Sequence, residues 1–517
     1  MPNMQNLAAE IAAAGNKHVF GITGSGISLV LADELERRGV SFVRTQFEGV
    51  AAMMAGTIGR LSGRAGVSLG IKGPGLVNMV PGLAVSWFES FPLVAIVEAY
   101  GPKAGPTKAH KRVDHHTLVQ PVSKGVRLFA EGGPGFADMA RWAEAEVPAP
   151  VVLELTGGKE VPPPPCPDSV LAPAGDVARV LAMIDAAQRP VVIAGTLALR
   201  KGWSGRLNAL VIPCFSTAAA KGVINETLPH AAGPYTGVGL ELATESTLLR
   251  QADLVVCLGV RPGEVLATIP LPCPAVAVEA VAGISGAEGF VYAETIADTH
   301  AGAVFDSLQS KDWGLDALAE CLRRMDARLT AGPFLPAGAF AVMAQHFGRD
   351  VCMAMDTGYF CTIGEHVWRA PRADLCLMSG QGRYMGTGVP MALAAALHDR
   401  SRPTVAVLGD GGIGMYAAEL RLAVEQKLPL LVVLMTDGRF SSIATRALKD
   451  SLTLKPLTMS DPSWVAAMAG LGLPGRRVER PESLAEVLAA WDPTQGPAYV
   501  EIAFAADPYE QMVAGIR

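Results

Sequence analysis

The sequence predicts an α/β protein of three doubly wound parallel-sheet domains, and three observations carry that reading. Its 517 residues exceed what a single hydrophobic core organises, so two to four domains are expected. Half of the chain is apolar, 18% is charged and 6% is aromatic, with 56 glycines, a balance that suits closely packed helices on sheets and excludes global disorder. Short apolar strands, Gly-rich turns and helical patterns alternate throughout, which is the grammar of parallel sheets covered on both faces.

Two seams cut the chain. The run Gly157-Gly-Lys-Glu-Val-Pro-Pro-Pro-Pro-Cys-Pro167 cannot form helix or central strand and reads as a stiff linker. A second break falls at Ala331-Gly-Pro-Phe-Leu-Pro-Ala337, after a polar helical stretch through Cys321-Leu-Arg-Arg-Met-Asp. The expected domains are therefore 1–160, 175–325 and 335–517, each of ordinary size. The first carries the strands His18-Val-Phe-Gly-Ile, Gly66-Val-Ser-Leu-Gly-Ile and Leu93-Val-Ala-Ile-Val. The second carries Pro190-Val-Val-Ile-Ala-Gly and Asp253-Leu-Val-Val-Cys-Leu-Gly, and the third Thr404-Val-Ala-Val-Leu-Gly and Leu430-Leu-Val-Val-Leu-Met. Ligands of such sheets bind beyond the carboxyl ends of the strands, where the Gly-rich turns sit.

Several function classes are excluded. A formal charge of −6 gives no electrostatic reason to expect nucleic acid or an anionic membrane surface. The first residues lack a basic n-region and an apolar h-region, and the longest apolar runs, such as Leu428 to Met435, are too short to span a bilayer. Eight scattered cysteines form no Cys-x-x-Cys pair, which argues against zinc or a disulfide framework and fits a reducing cytoplasm. No Gly-x-Gly-x-x-Gly occurs in the middle domain, so neither FAD nor another dinucleotide is expected.

The turn Gly409-Asp410-Gly411-Gly412 joins an apolar strand to a helical pattern running from Tyr416 to Gln426. Its glycines let backbone N–H groups approach a phosphate, and Asp410 can hold a divalent cation, although the same turn also occurs as an ordinary tight connection. The next strand ends in Asp437-Gly438-Arg439, 437 − 410 = 27 residues on. Gly-Asp-Gly followed at this spacing by a polar strand-end residue resembles the signature of thiamine-diphosphate-dependent enzymes. The resemblance implies that Asp410, Asp437 and the Arg439 carbonyl bind Mg²⁺, which also holds the diphosphate; oxygen donors of this kind suit that ion. The family usually has Asn where this chain has Asp437.

Further matches extend over nearly the whole chain and make the first domain pyrimidine-binding and the last diphosphate-binding. Gly380-Gln-Gly-Arg-Tyr-Met385 resembles the loop that props the cofactor in its V shape, with Met385, 410 − 385 = 25 residues before Asp410, as the wedge. The Arg383 carbonyl would meet the 4′-amino group, at a position where Gly is more usual. Asp356-Thr357-Gly358-Tyr359-Phe360 resembles the outer diphosphate turn, and Phe440 follows the metal-binding run. Glu48, in Phe42-Val-Arg-Thr-Gln-Phe-Glu-Gly-Val-Ala-Ala-Met-Met-Ala, resembles the catalytic glutamate. Hydrogen-bonded to the pyrimidine N1′, it would shift the ring towards a 4′-imino base. Small residues after it (Gly49, Ala51, Ala52, Ala55, Gly56) leave room for a ring system or another subunit. Its companion loops are Phe20-Gly-Ile-Thr23-Gly-Ser25-Gly and Ile71-Lys72-Gly73-Pro-Gly-Leu-Val-Asn78.

The segment from His110 to Lys124 resembles the family's second active-site loop. Lys111 and Arg112 stand where acetolactate-synthase-like members carry Gln-Glu, and Lys72 replaces a small polar residue. Three cations without an anion would favour a substrate with a second acidic group; a solvated basic loop is the other reading. His115 and His116 serve either as proton shuttles or structurally. Ser25 lies where hydroxyls approach substrate in some relatives. The run after Asp437, Phe440-Ser-Ser-Ile-Ala-Thr-Arg446, lacks the aromatic-Gln pattern of acetolactate synthases. The expected activity is thus a C–C bond lyase, foremost a 2-oxo acid decarboxylase, with a carboligase or an inactive cofactor-binding homologue as alternatives. Relatives bind the cofactor between subunits, so a homodimer or homotetramer is expected.

Overall fold

The computed structural model describes residues 4–101, 104–105, 110–156, 164–167, 171–267, 269–283, 290–459 and 463–517. Most of the proline linker, and with it the first expected boundary, lies outside these residues; Pro164 to Pro167 carry no regular structure.

Three six-stranded sheets, every pairing parallel, make up the fold. The first contains β1 (His18–Gly21), β2 (Ser41–Arg44), β3 (Gly66–Gly70), β4 (Leu93–Glu98), β5 (Val126–Phe129) and β6 (Pro150–Leu155) in the order β2-β1-β3-β4-β6-β5. The second contains β7 (Pro190–Ala194), β8 (Cys214–Ser216), β9 (Ala231–Pro234), β10 (Leu254–Leu258), β11 (Ala275–Glu279) and β12 (Glu294–Ala297) in the order β12-β11-β10-β7-β8-β9. The third contains β13 (Cys352–Met355), β14 (Cys376–Met378), β15 (Thr404–Gly409), β16 (Leu430–Thr436), β17 (Gly475–Val478) and β18 (Ala498–Ala503) in the order β14-β13-β15-β16-β18-β17. The first and third sheets share one winding scheme. Each reverses direction between its first and third strands, which opens a crevice at the strands' carboxyl ends.

Burial explains the strand compositions. Every residue of β4 and β16 is buried, so both are apolar runs up to a polar last residue (Glu98 and Thr436), whereas the edge strand β17 (Gly-Arg-Arg-Val) exposes its two arginines. By contact the chain forms two compact units, one of residues 1–169 with 393–399 and 416–425, the other of 170–392, 400–415 and 426–517. No helix among the described residues is long and apolar enough to cross a membrane, and all eight cysteines are free thiols.

Two local expectations change. The helix after β15 starts at Asp410 rather than near Tyr416, running Asp410–Tyr416 and continuing through a 3₁₀ turn (Ala417–Leu420) into Arg421–Glu425. Glycines 411, 412 and 414 are poor helix formers, which hid this start from the sequence pattern. The small residues after Glu48 serve packing inside the first unit: the helix Glu48–Ser62 lies against the helix Pro74–Glu89. A side-chain carbon at Gly82 would fall 2.4 Å from the Gly49 carbonyl oxygen, and one at Gly49 would fall 2.9 Å from that of Asn78.

Candidate active site

In the first unit the segments that follow β1, β2, β3 and β4, with Glu154 of β6, supply the first group of residues. Glu48 opens its helix, is buried, and accepts a hydrogen bond from Asn78 Nδ2 at 3.0 Å through Oε2. Phe47 offers no side-chain cap to this helix. Glu419 does so instead: both its oxygens accept the Gln46 amide at 3.0 Å, and the Phe47 amide also reaches it. The Phe47 ring stacks on Tyr416, 6.1 Å away. Nothing local in the sequence marked Glu419.

Gly73 must be glycine, because its φ is +64° and a side-chain carbon would fall 2.0 Å from the Lys111 carbonyl oxygen. The Gly73 amide donates to His115 Nε2 at 3.1 Å, so the ring proton sits on Nδ1, which donates to Glu154 at 2.8 Å. Both nitrogens of the buried His115 are thereby engaged structurally, whereas His116 is exposed. Thr23 is half-buried and Ser25 exposed in the turn after β1.

The idea of three unopposed cations needs correcting. Lys72 Nζ pairs with Glu98 at 3.0 Å. Burial pushes the Glu98 carboxyl up, but the Ser28 hydroxyl (2.6 Å), the Ser28 amide (3.0 Å) and Lys72 outweigh it and hold the group below the usual carboxylate range. Glu98 is the last residue of β4, outside the loops that carry Lys72, Lys111 and Arg112. Lys72 and Arg112 each lie 5.6 Å from the Tyr100 ring centre, and Arg112 also donates to the Ala104 carbonyl at 2.9 Å. With Lys111, His115 and Glu154 they line a cavity of about 160 Å³. Lys111 and Arg112 are its exposed cations.

In the second unit, the ends of β13, β15 and β16 bring the other group together. Asp410 Oδ1 accepts from Thr436 Oγ1 at 2.6 Å, and its Oδ2 accepts from the amides of Asp437 (3.1 Å) and Gly438 (3.0 Å). The Asp410 carboxylate thus sits on the Asp437 amide, and its charge reaches the Asp437 carboxyl. Burial raises Asp410 against these donors, and burial, opposed by the Ser441 hydroxyl and reinforced by Asp410, pushes Asp437 up to about 6. Side-chain carbons on the turn's glycines would collide with the residues the sequence grouped around it. At Gly409 one would meet Phe360, at Gly411 Phe440 and the Met385 sulfur, and at Gly412 Asp356.

The loop from Gly380 is pinned beside this turn. Thr357 and Thr387 hydroxyls donate to the Tyr384 carbonyl at 3.2 and 3.0 Å, and the Gly386 amide donates to Asp356 Oδ1 at 2.8 Å. Asp356 is fully buried, its Oδ2 has no hydrogen-bond partner, and burial, against four backbone amides, pushes it up to about 7. Gly358 caps the following helix, and Tyr359 turns inward, its hydroxyl donating to the Glu510 carbonyl at 2.9 Å. Tyr359 is therefore a core residue here. The Arg439 side chain pairs with Asp507 (3.3 Å) and Glu510 (3.2 Å).

The donor set fits the implied metal. Burial disfavours both carboxylates, and the charge of Asp410 further disfavours that of Asp437; a cation would relieve them, and oxygen donors match Mg²⁺. Among the described residues no cluster of three or more His, Cys, Asp or Glu could hold a metal alone, so peptide and diphosphate oxygens would complete the shell. In the middle domain the buried Glu264, in the turn after β10, accepts from the Thr196 amide (2.9 Å) and the Thr196 and Thr217 hydroxyls (2.6 and 2.8 Å).

Two strand-end sites on identically wound sheets, one holding a buried carboxylate and one an acidic Gly-rich turn, define a cofactor-dependent enzyme. The chain belongs to the thiamine pyrophosphate enzyme family: residues 3–118 match its N-terminal TPP binding domain, 177–280 its central domain and 356–502 its C-terminal TPP binding domain. It is 26% identical to the catabolic acetolactate synthase of Raoultella terrigena, over 96% of this chain and 94% of that one. It is 27% identical to the acetolactate synthase of Bacillus subtilis, over 94% and 90%. It is 25% identical to a protein of Pseudomonas aeruginosa described as a probable 2-ketoarginine decarboxylase, over 93% and 90%.

Glu419 yields a prediction. Burial, opposed by the Gln46 and Phe47 amides, raises its carboxyl from 4.5 to about 7. A raised folded-state value means that its contribution to stability is complete below pH 4.5 and is lost as pH rises through about 7. Glu419→Gln should therefore flatten the fall in melting temperature across that window. Glu419→Ala should leave amides unsatisfied, cost about 1–3 kcal/mol and slow turnover by loosening Glu48. Unchanged melting profiles for both variants would deny it the capping role.

Proposed function

We propose that the protein is a thiamine-diphosphate- and Mg²⁺-dependent C–C bond lyase that decarboxylates a small 2-oxo acid. The buried Glu48–Asn78 pair, at the head of a helix in a thiamine-binding domain, carries this reading. Glu48 would share a proton with the pyrimidine N1′ and Asn78 would fix its carboxyl orientation. Asp410, Asp437 and the Arg439 carbonyl would hold Mg²⁺, and Met385 would press on the cofactor beside Gly411. Bound thiamine diphosphate would supply the carbon nucleophile and electron sink that no side chain provides.

The cavity beside Tyr100 would take the substrate, and its volume of about 160 Å³ suits one acid of few carbons. Lys111 and Arg112 favour a second anionic group on that acid. Purified protein with thiamine diphosphate, Mg²⁺ and a panel of 2-oxo acids should release CO₂, with dianionic acids exceeding pyruvate in kcat/KM. Arg112→Gln should erode that preference by about tenfold while changing pyruvate little. Equal preference in both proteins would assign the loop to solvent. Acyloin-type products would favour the carboligase reading, which the acetolactate synthase relatives support, and cofactor binding without turnover would favour an inactive homologue.

The working assembly is proposed to be a homodimer or homotetramer. The exposed positions of the helix Pro74–Glu89 are all apolar (Pro74, Val77, Trp87 and Phe88), and of its half-buried positions Val80, Pro81 and Ala84 are apolar while Asn78 bonds Glu48. A second copy is the proposed cover for such a stripe. Light scattering should find no monomer at assay concentration, and a fully active monomer would refute the assembly.

A further inference from the structure

We propose that Glu365 and Arg517 are positioning residues that hold Arg383 in a left-handed backbone conformation, and with it the peptide carbonyl that the cofactor reading above directs at the pyrimidine. The inference rests on that reading for its function and on side-chain geometry in the second unit for its existence.

Arg383 has a φ of +48°, a region that L-residues other than Asn and Asp avoid because Cβ approaches the carbonyl oxygen. The residues around it are fixed by backbone bonds: the Tyr384 amide donates to Ser379 Oγ at 2.8 Å, and the Tyr384 carbonyl and Gly386 amide are held as described. Arg383 itself is tied through its side chain. Its Nη1 pairs with Glu365 Oε1, while Arg517 Nη2 takes Glu365 Oε2, one guanidinium to each oxygen.

Glu365 is fully buried on the helix Tyr359–Val367. Burial alone would raise its carboxyl, but Arg383 and Arg517 outweigh that and hold it at about 2, so it remains an anion. A buried anion bound on one side only would leave its second oxygen exposed to desolvation without compensation. Arg517 supplies that second side and so fixes the carboxylate orientation that Arg383 meets. The same helix is anchored below by Lys221, whose ammonium donates to the Glu365 carbonyl at 2.8 Å and pairs with Glu226 at 2.6 Å. A glycine would adopt the left-handed conformation without help. An arginine there needs an anchor, and the anchor is present.

The test is an epistasis measurement made first on the protein without cofactor. Hydrogen exchange across residues 380–387 should accelerate about tenfold or more in Arg517→Gln at a melting temperature within a few degrees of the parent's. Arg517→Lys, which keeps the charge but not the fork, should shift exchange in the same direction by less, and it carries the test if the Gln variant melts early. In an Arg383→Gly background, Arg517→Gln should change exchange across 380–387 by less than about twofold once normalised to the amides of β16, which report the global cost of leaving Glu365 unpaired, because glycine needs no anchor. The thiamine diphosphate dissociation constant should follow the same pattern, rising about tenfold in Arg517→Gln and much less in the double variant. Equal effects of Arg517→Gln in both backgrounds would show a general stabilising ion pair and overturn the proposal. Failure of the parent protein to bind thiamine diphosphate would instead overturn the cofactor reading, with the exchange data still deciding whether the anchor exists.

Discussion

Glu48→Gln is expected to bind thiamine diphosphate as the parent does and to lose turnover by on the order of 10²-fold or more. The substitution is nearly isosteric, and its remaining carbonyl oxygen can still accept from Asn78 Nδ2, which now lies 3.0 Å from Oε2. The helix start does not depend on the charge at residue 48, because Glu419 already satisfies the amides of Gln46 and Phe47. Folding and cofactor affinity should therefore survive. What an amide cannot do is share a carboxyl proton with a ring nitrogen, so the loss should appear in kcat. Calorimetric titration and initial-rate measurements on the same preparation separate the two. A variant turning over near the parental rate would remove the central claim of the proposed function.

Much of the fold was legible because fully buried parallel strands write themselves as apolar runs. β15 and β16 are such runs, and as nearest neighbours they end side by side. Their adjacency converts the 27-residue interval between Asp410 and Asp437 into proximity, through donors shared by Asp410 and the end of β16. Partnerships made across the chain left no local trace. Glu419 caps a helix that begins far earlier in sequence, and the Glu98 pairing with Ser28 and Lys72 depends on which strands become neighbours. A carboxylate ending an otherwise apolar run, as Glu98 does in Leu-Val-Ala-Ile-Val-Glu, was the available hint. Tyr359 reads as part of a ligand turn but faces the core, since a turn's sequence does not fix which side chains point inward. The shared winding of the first and third sheets was also invisible, because strand order depends on crossovers and not on a repeated sequence.

Removing the Asp410 carboxylate is expected to weaken Mg²⁺-dependent thiamine diphosphate binding by at least about 100-fold, whereas Asp437→Asn should leave that dependence in place. The two acids stand together but do different work. Asp410 accepts from Thr436, Asp437 and Gly438, so it locks β15 to the end of β16, and in the proposed role it would also offer lone pairs to the metal. Asp410→Ala would therefore also strand the buried Thr436 hydroxyl and two half-buried amides, at about 1–3 kcal/mol of stability in all. Affinity must for that reason be compared with and without Mg²⁺ rather than read from a single binding curve: an unfolding effect lowers both, and loss of a ligand lowers only the first. Asp437 bonds the Ser441 hydroxyl, a contact that an Asn carbonyl oxygen can keep, and losing its charge removes the repulsion from Asp410. Asn also retains an oxygen donor for the metal. If Asp410→Ala bound cofactor as tightly as the parent in Mg²⁺, the Gly-Asp-Gly turn would be a strand connection only, and the metal would have to be sought elsewhere.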